Sequence, residues 1–416
     1  MIARTPPMGW NSWDCYGAAV TEETVRRNAE YMAAHLKPLG WEYVVVDIQW
    51  YQPTASTHAY EPFSELTMDA FGRLTPAVNR FPSAAGGKGF KPLADYVHGL
   101  GLKFGLHIMR GLPRMAAHRR LPIEGAAFRC SDAANPNSIC AWNPDMYGLR
   151  ADLPAAQAYY DSIFRLYAEW GVDFVKCDDI AREYPHCRRE IEIISSACRG
   201  CGRDIVLSLS PGPAPLEQAE HLKRHANMWR ITDDFWDEWP LLRAMFERAE
   251  KWCVHAGPGH WPDADMLPVG ALRQCYGDHP LGRWTNFTRP EQRTMLTLWC
   301  MMRSPLMIGG DLTKNDDFTL SLLTNAGVLG ILRESWCAHP LYTTGDECAW
   351  IAPRRDGRGA YVAAFNLSDV PRRVYVDPES IGLDMARATE LWRGEDADRL
   401  EAALEPHDAA VWYVET

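Results

Sequence analysis

GVDFVKCDDI, residues 171–180, decides the fold. It is a short apolar run that follows an amphipathic stretch, Pro154–Trp170, and it ends in charge. Side chains two apart on a strand share a face, so Phe174, Lys176 and Asp178 point one way while Val175, Cys177 and Asp179 point the other. The same unit recurs on both sides of it. Strands are predicted at Met8–Trp13, Tyr43–Asp47, Lys103–His107, Phe174–Asp178, Asp204–Ser208 and Met228–Ile231, near Trp261, and at Leu306–Ile308. Helices fall between them, as at Thr21–Leu39, Pro92–Leu100, Pro154–Trp170 and Arg289–Met302. Eight such strands fit an α/β (β/α)8 TIM barrel better than an open doubly wound sheet, and no G-x-G-x-x-G follows the first of them.

Past residue 338 the pattern changes to AWIAPR, AYVAAFNLS, RRVYVD, ATELWRG and HDAAVWYV, with turn signals such as RDGRG between them. That alternation predicts a small C-terminal antiparallel β-sandwich domain. The expected division is a catalytic (β/α)8 barrel over residues 1–335 and an antiparallel β domain over 338–416. A chain of 416 residues accommodates both.

Composition narrows the function. With 47% apolar and 23% charged residues the chain builds a sizeable core. A net charge of -11 argues against nucleic acid or a membrane surface as partner and favours a neutral or cationic small molecule. Seventeen Trp and sixteen Tyr supply flat rings of the kind that stack on sugar faces, although ordinary core packing accounts for most of them. MIARTPPMGWNSW has no apolar run of the signal-peptide type, which points to the cytoplasm. The twelve Cys are then expected reduced and buried, although Cys130 and Cys140 flank one loop and could pair in an oxidising compartment.

Barrel chemistry sits where strands end. Lys176 and Asp178 share one face at such an end, and a Lys beside a carboxylate keeps the acid ionised, as a nucleophile requires. A structural ion pair reads equally from those residues. In MWRITDDFWDEW, residues 228–239, Arg230 ends a strand and Asp233 and Asp234 follow in the turn; an acid run favoured by a helix N-terminus is the alternative there. Two acids on different strand ends make glycoside hydrolysis the natural reaction class, since it needs one nucleophile and one proton donor across a single bond.

TPPMGWNSW, YVVVDIQW, RFP followed by GLKFGLHI, GVDFVKCDD, W-R-x-x-x-D and AGPGHWPDADML occur in that order from residue 5 to about 330. Together they resemble the successive barrel motifs of glycoside hydrolase family 27, the α-galactosidases and α-N-acetylgalactosaminidases. The resemblance implies a retaining exo-α-glycosidase with Asp178 as nucleophile and Asp234 as acid/base. It implies Lys176 as a sugar-binding neighbour of the nucleophile, Arg230 near the sugar's 2-substituent, and Trp13, Asp47 and Asp265 around the terminal sugar. It also implies no metal and no cofactor, an oligosaccharide or glycoconjugate as substrate, and room for a homo-oligomer.

Three departures bear on specificity. Ile48 follows Asp47 where familiar members carry paired acids, although Gln49 could serve the same hydroxyl. Leu209, Ser210 and Pro211 stand where α-galactosidases often have Cys-Glu-Trp, and a small Ser210 resembles the N-acetylgalactosaminidases and leaves space for a 2-acetamido group. Asp179 and Ile180 follow Asp178, so the family's disulfide beside the nucleophile has no counterpart. A β-L-arabinopyranosidase, whose sugar lacks C6, is the rival within the family. A catalytically weak carbohydrate-binding protein and a metal-dependent barrel hydrolase are the rivals outside it, the latter disfavoured because Trp10, Asn11 and Ser12 replace a His-x-His. The segment from Arg129 to Tyr147, with Trp142 and Asn143, is long for a βα loop and is expected to shape a further subsite or a neighbour's pocket. Gly86, Gly87, Lys88 and Gly89 lack a phosphate-loop pattern, and Cys198 with Cys201 is half a zinc motif. His107 reads equally as a pocket or a core histidine.

Overall fold

Eight short strands run parallel in one curled sheet of the computed structural model, which describes residues 2–184, 186–274 and 282–416. They are β1 (Met8–Asn11), β2 (Tyr43–Val46), β3 (Lys103–Met109), β4 (Phe174–Asp178), β5 (Val206–Leu209), β6 (Met228–Arg230), β7 (Trp261–Asp263) and β8 (Leu306–Ile308). Neighbours in the chain are neighbours in the sheet from β1 to β7, and β8 lies beside β1. The ring closes just past the end of β7: Leu267 N–H donates to Met307 O at 2.7 Å and Gly309 N–H to Leu267 O at 2.9 Å. This is a (β/α)8 TIM barrel.

The period-2 alternation sorts the strand residues as expected. Tyr43, Val45, Phe174, Val206, Met228, Trp261 and Met307 form one cluster inside the barrel. Val44, Val46, Val175, Cys177, Leu207 and Trp229 belong to the larger core between the sheet and its helices. The inside is crowded enough to demand glycine at two inward positions. A Cβ on Gly9 would lie 2.3 Å from Tyr43 O, and one on Gly105 would lie 2.9 Å from the Phe174 Cβ. With those side chains absent, the rings of Tyr43 and Phe174 meet at 5.5 Å.

Where the elements differ from expectation, local chemistry explains it. β1 stops at Asn11 because the Asn11 side chain accepts the Trp13 N–H at 2.8 Å, turning the chain into the short helix Trp13–Tyr16. The helix predicted over Thr21–Leu39 runs over Glu22–His35, capped by the mutual hydrogen bonds of Thr21 and Thr24, and Pro38 lies in a separate 3-10 turn. Pro154–Trp170 and Arg289–Met302 form as expected; the first ends on Gly171 in the left-handed conformation and the second starts with a Thr288–Glu291 capping box.

The C-terminal strands build a six-stranded antiparallel sheet in the order 339–343, 347–353, 360–366, 409–415, 387–390, 395–397, with a two-stranded partner, 372–376 and 400–404. Val362, Ala364, Trp412 and Val414 of the first meet Val374, Val376, Leu400 and Leu404 of the second, which makes a sandwich. The other face of the large sheet packs on barrel helices: Phe365 meets Phe246 edge to face at 5.0 Å, and Arg293 grips Asp408 at 3.0 and 2.8 Å. Cys130 and Cys140 are free buried thiols, so the disulfide considered for them is not formed. Among the described residues no helix is long and apolar enough to cross a membrane.

Candidate active site

The inward positions at the strand ends carry the polar residues. Asp47 follows β2, His107 lies on β3, Lys176 and Asp178 on β4, Arg230 ends β6, and Asp265 follows β7. Trp13, Asp47, Lys176, Asp178, Arg230, Asp234 and Asp265 line one pocket at this end of the barrel, joined by Asp14, Tyr60 and Trp236. Ser210 continues the inward face of β5 but sits lower, beside Asn11, Lys176, Arg230 and Asp265 in the space below the pocket. Its hydroxyl is enclosed and has no partner among the described residues.

Asp178 is buried, and its two oxygens are held separately. Oδ2 lies 2.9 Å from His107 Nε2, and Oδ1 accepts the Asp179 N–H at 2.9 Å. Burial alone would push this carboxyl up, but the hydrogen bond from His107 and the charge of Lys176 outweigh it and hold the group well below the ordinary carboxylate range. It is therefore ionised, the state a nucleophile needs. The direct partner differs from the one expected. Lys176 Nζ donates to Asp47 Oδ2 at 2.9 Å rather than to Asp178, because the Lys176 side chain reaches across to β2 while the imidazole on β3 is closer to the acid. Asp47 also accepts from Asn11 Nδ2 at 2.7 Å. Burial would raise the Asp47 carboxyl, but Lys176 and His107 keep it below its usual value.

Asp234 is the opposite kind of acid. Its side chain is 57% exposed at the pocket lip, tethered at 3.2 Å by Arg230. It does not lie in a helical first turn, since the helix that follows it begins at Trp239. Its neighbours in the acid run are committed elsewhere, Asp233 to Arg182 and Asp237 to a two-pronged pair with Arg283. Arg230 is buried and shared: its Nη2 also lies 2.7 Å from Asp265 Oδ2. One guanidinium faces several carboxyls there. Burial, together with Asp234 and Asp263, pushes Asp265 up to about 7 in spite of Arg230. A buried Arg between an exposed acid and a buried one fixes both without neutralising either pair completely.

Residues after β2 settle two of the expectations. Ile48 is buried and apolar. Gln49 is not available to a sugar in the way considered, because its Nε2 donates to Asp145 Oδ2 at 2.7 Å and its Oε1 accepts from Glu61 N. The Arg129–Tyr147 segment folds into a small sheet of strands 112–113, 134–139 and 146–149, and Trp142 packs on Tyr60 at 5.0 Å. Tyr60 in turn stacks on Trp13 at 5.2 Å and 9°. Three rings from three segments thus form a row, of which Trp13 and Tyr60 line the pocket and Trp142 backs Tyr60. Tyr60 and Asp14 escaped the sequence reading; neither lies on a strand, so alternation gives no signal for them. His107, which reads equally as a pocket or a core histidine in the sequence, lies two residues past inward-facing Gly105 and touches Asp178.

Among the described residues, Glu192, His221 and His225 form the one group close enough to hold a metal ion, but it lies on the outer helices and Glu192 is already paired with Arg189.

A family model described as alpha galactosidase A (Melibiase_2) matches residues 145–334. Over 397 residues the chain is 28% identical to an alpha-galactosidase of Cyamopsis tetragonoloba, covering 94% of this chain and 80% of that protein. Two solved structures are much nearer. A GH27 β-L-arabinopyranosidase from Geobacillus stearothermophilus is 54% identical with a TM-score of 0.96, over 100% of this chain and 97% of the other. An α-N-acetylgalactosaminidase candidate from Bacillus halodurans C-125 is 50% identical with a TM-score of 0.90, over 100% and 98%.

Proposed function

The chain belongs to glycoside hydrolase family 27 and is an α-galactosidase-like glycosidase, and from that premise we propose that it releases terminal β-L-arabinopyranosyl residues by a retaining double displacement. The observation that carries the reaction is the unlike pair of acids in one pocket, Asp178 buried and ionised and Asp234 exposed at the lip. Asp178 attacks the anomeric carbon as the glycosidic C–O bond breaks, and Asp234 gives its proton to the departing oxygen. Asp234 then takes a proton from water, whose oxygen attacks the same carbon and frees Asp178. Two inversions leave the configuration unchanged. Lys176, Asp47, Arg230 and Asp265 hold the sugar's hydroxyls, and Trp13 covers an apolar edge.

β-L-Arabinopyranose has the ring configuration of α-D-galactopyranose without the C6 hydroxymethyl group, so one pocket serves both. Ile48 favours the smaller sugar. It follows Asp47 where familiar family members carry a second acid, and an apolar side chain at that position offers a 6-hydroxyl no hydrogen bond. The 54% identity to a β-L-arabinopyranosidase supports the same choice. The test is kcat/KM on nitrophenyl β-L-arabinopyranoside, α-D-galactopyranoside and N-acetyl-α-D-galactosaminide, with proton NMR of the first-formed product. The arabinopyranoside is expected to lead and to give the β-L-anomer first. A faster galactoside would overturn the sugar assignment, a faster N-acetylgalactosaminide would point to the space at Ser210, and an inverted product would overturn the mechanism.

A further inference from the structure

One carboxyl in the pocket has no role in the reaction above. Asp14 follows Trp13 in the short helix Trp13–Tyr16 after β1 and is 3% exposed. No hydrogen bond or ion pair of its side chain occurs among the described residues, and Oδ2 is fully enclosed without a partner. Its backbone is fixed, with Asp14 O accepting the Arg273 N–H at 2.8 Å. Gly309 at the end of β8 leaves room for the carboxyl, since a Cβ there would collide with Oδ2. The pocket that Asp14 lines is the one holding Asp47, Asp178 and Asp265. Burial, then the nearby Asp265, pushes the Asp14 carboxyl well above its ordinary value.

A buried polar group with no partner weakens the folded state. None of the described residues compensates for Asp14, whereas a pyranose in the pocket presents hydroxyls that both donate and accept. We propose that Asp14 is a sugar-binding residue, whose carboxyl pairs with one hydroxyl of the terminal pyranose between the groups read by Asp47 and by Asp265. The proposal rests on the glycosidase assignment of this pocket.

Asp14→Leu and Asp14→Asn test it. Leu removes the unpartnered polar group at similar size, so the melting temperature should stay level or rise while kcat/KM falls about 10- to 100-fold, with KM rising. Asn keeps an acceptor oxygen and presents an amide donor at the same size, and should stay within about fivefold of wild type. Each enzyme is then assayed on the 2-, 3- and 4-deoxy nitrophenyl β-L-arabinopyranosides. For one of these, wild type and Asp14→Leu should become equal within about twofold, naming the hydroxyl that Asp14 binds. An Asp14→Leu enzyme as active as wild type on the parent glycoside overturns the proposal. So does an equal loss on all three deoxy substrates, or a loss matched by a fall in melting temperature, both marks of a structural role. The ranking of the parent arabinopyranoside and galactopyranoside in wild type reports separately on the sugar assignment; if the galactoside leads, the same comparison on deoxy-galactosides still decides Asp14.

Discussion

His107→Leu should move the acid limb of the pH profile. In the wild type, His107 Nε2 sits 2.9 Å from Asp178 Oδ2 in a site where the imidazole is fully buried. Removing it leaves Asp178 with the Asp179 N–H and the charge of Lys176. A hydrogen bond to a charged group is worth about 1.5–3 kcal/mol, and about 1.36 kcal/mol corresponds to one pKa unit, so the Asp178 carboxyl should rise by about one to two units. The sign follows from its starting point. A depressed carboxyl stays ionised until the pH falls through its low value, and raising that value brings the loss of the nucleophile to higher pH. The acid limb of kcat/KM should therefore shift up by about one to two pH units, while the rate at pH 7, where the acid is ionised in both proteins, changes less than about tenfold. Initial rates from pH 3 to 8 on the arabinopyranoside measure this, with His107→Gln as the variant that restores a donor. A rate at pH 7 that falls with no movement of the limb would refute the electrostatic role and leave His107 a packing residue.

Asp178→Asn should fold normally and lose nearly all turnover, because an amide cannot form the glycosyl-enzyme; wild-type-like rates would remove Asp178 from the mechanism. Asp234→Ala should lose about 10²–10⁴-fold on alkyl glycosides and far less on dinitrophenyl glycosides, whose leaving groups need no proton; equal losses on both would assign the proton to another residue. Ile48→Asp should improve the galactoside over the arabinopyranoside by about 1–3 kcal/mol in kcat/KM if the new carboxylate reaches a 6-hydroxyl, and an unchanged ratio would show that the position does not read C6. Arg293→Ala should cost about 1.5–3 kcal/mol in urea unfolding through the lost pair with Asp408, with kcat/KM unaffected because the pair joins the sandwich to the barrel's outer helices.

Alternation made part of the pocket floor legible. Inward positions on eight strands follow from period 2, which is why Lys176 and Asp178 could be placed on one face from GVDFVKCDDI alone and Arg230 at a strand end, whereas Asp47 and Ser210 were singled out by the family resemblance. Side-chain reach is what sequence cannot supply. Whether Lys176 pairs with Asp178 or with Asp47 depends on which neighbour lies along a four-carbon stem, and β2 proved to be within its span. Positions off the strands carry no periodic signal, so Asp14 in its short helix and Tyr60 in its loop were invisible, and the option that Gln49 serves a sugar hydroxyl stayed open because Asp145, which holds it, is 96 residues away in the chain. Strand ends misread by one or two residues came from turn chemistry, such as the Asn11 side chain capping β1.

The ring row of Trp13, Tyr60 and Trp142 has a wider consequence. Two of its three members hang on loops, while the acids beneath hang on strand ends. Ring row and floor thus hang on different parts of the fold, so a change in the 129–147 segment acts on the rings before it acts on Asp47, Lys176 and Asp178. For anyone redesigning such an enzyme, the loops and the strand ends can be varied separately, and Trp142 belongs to the loops.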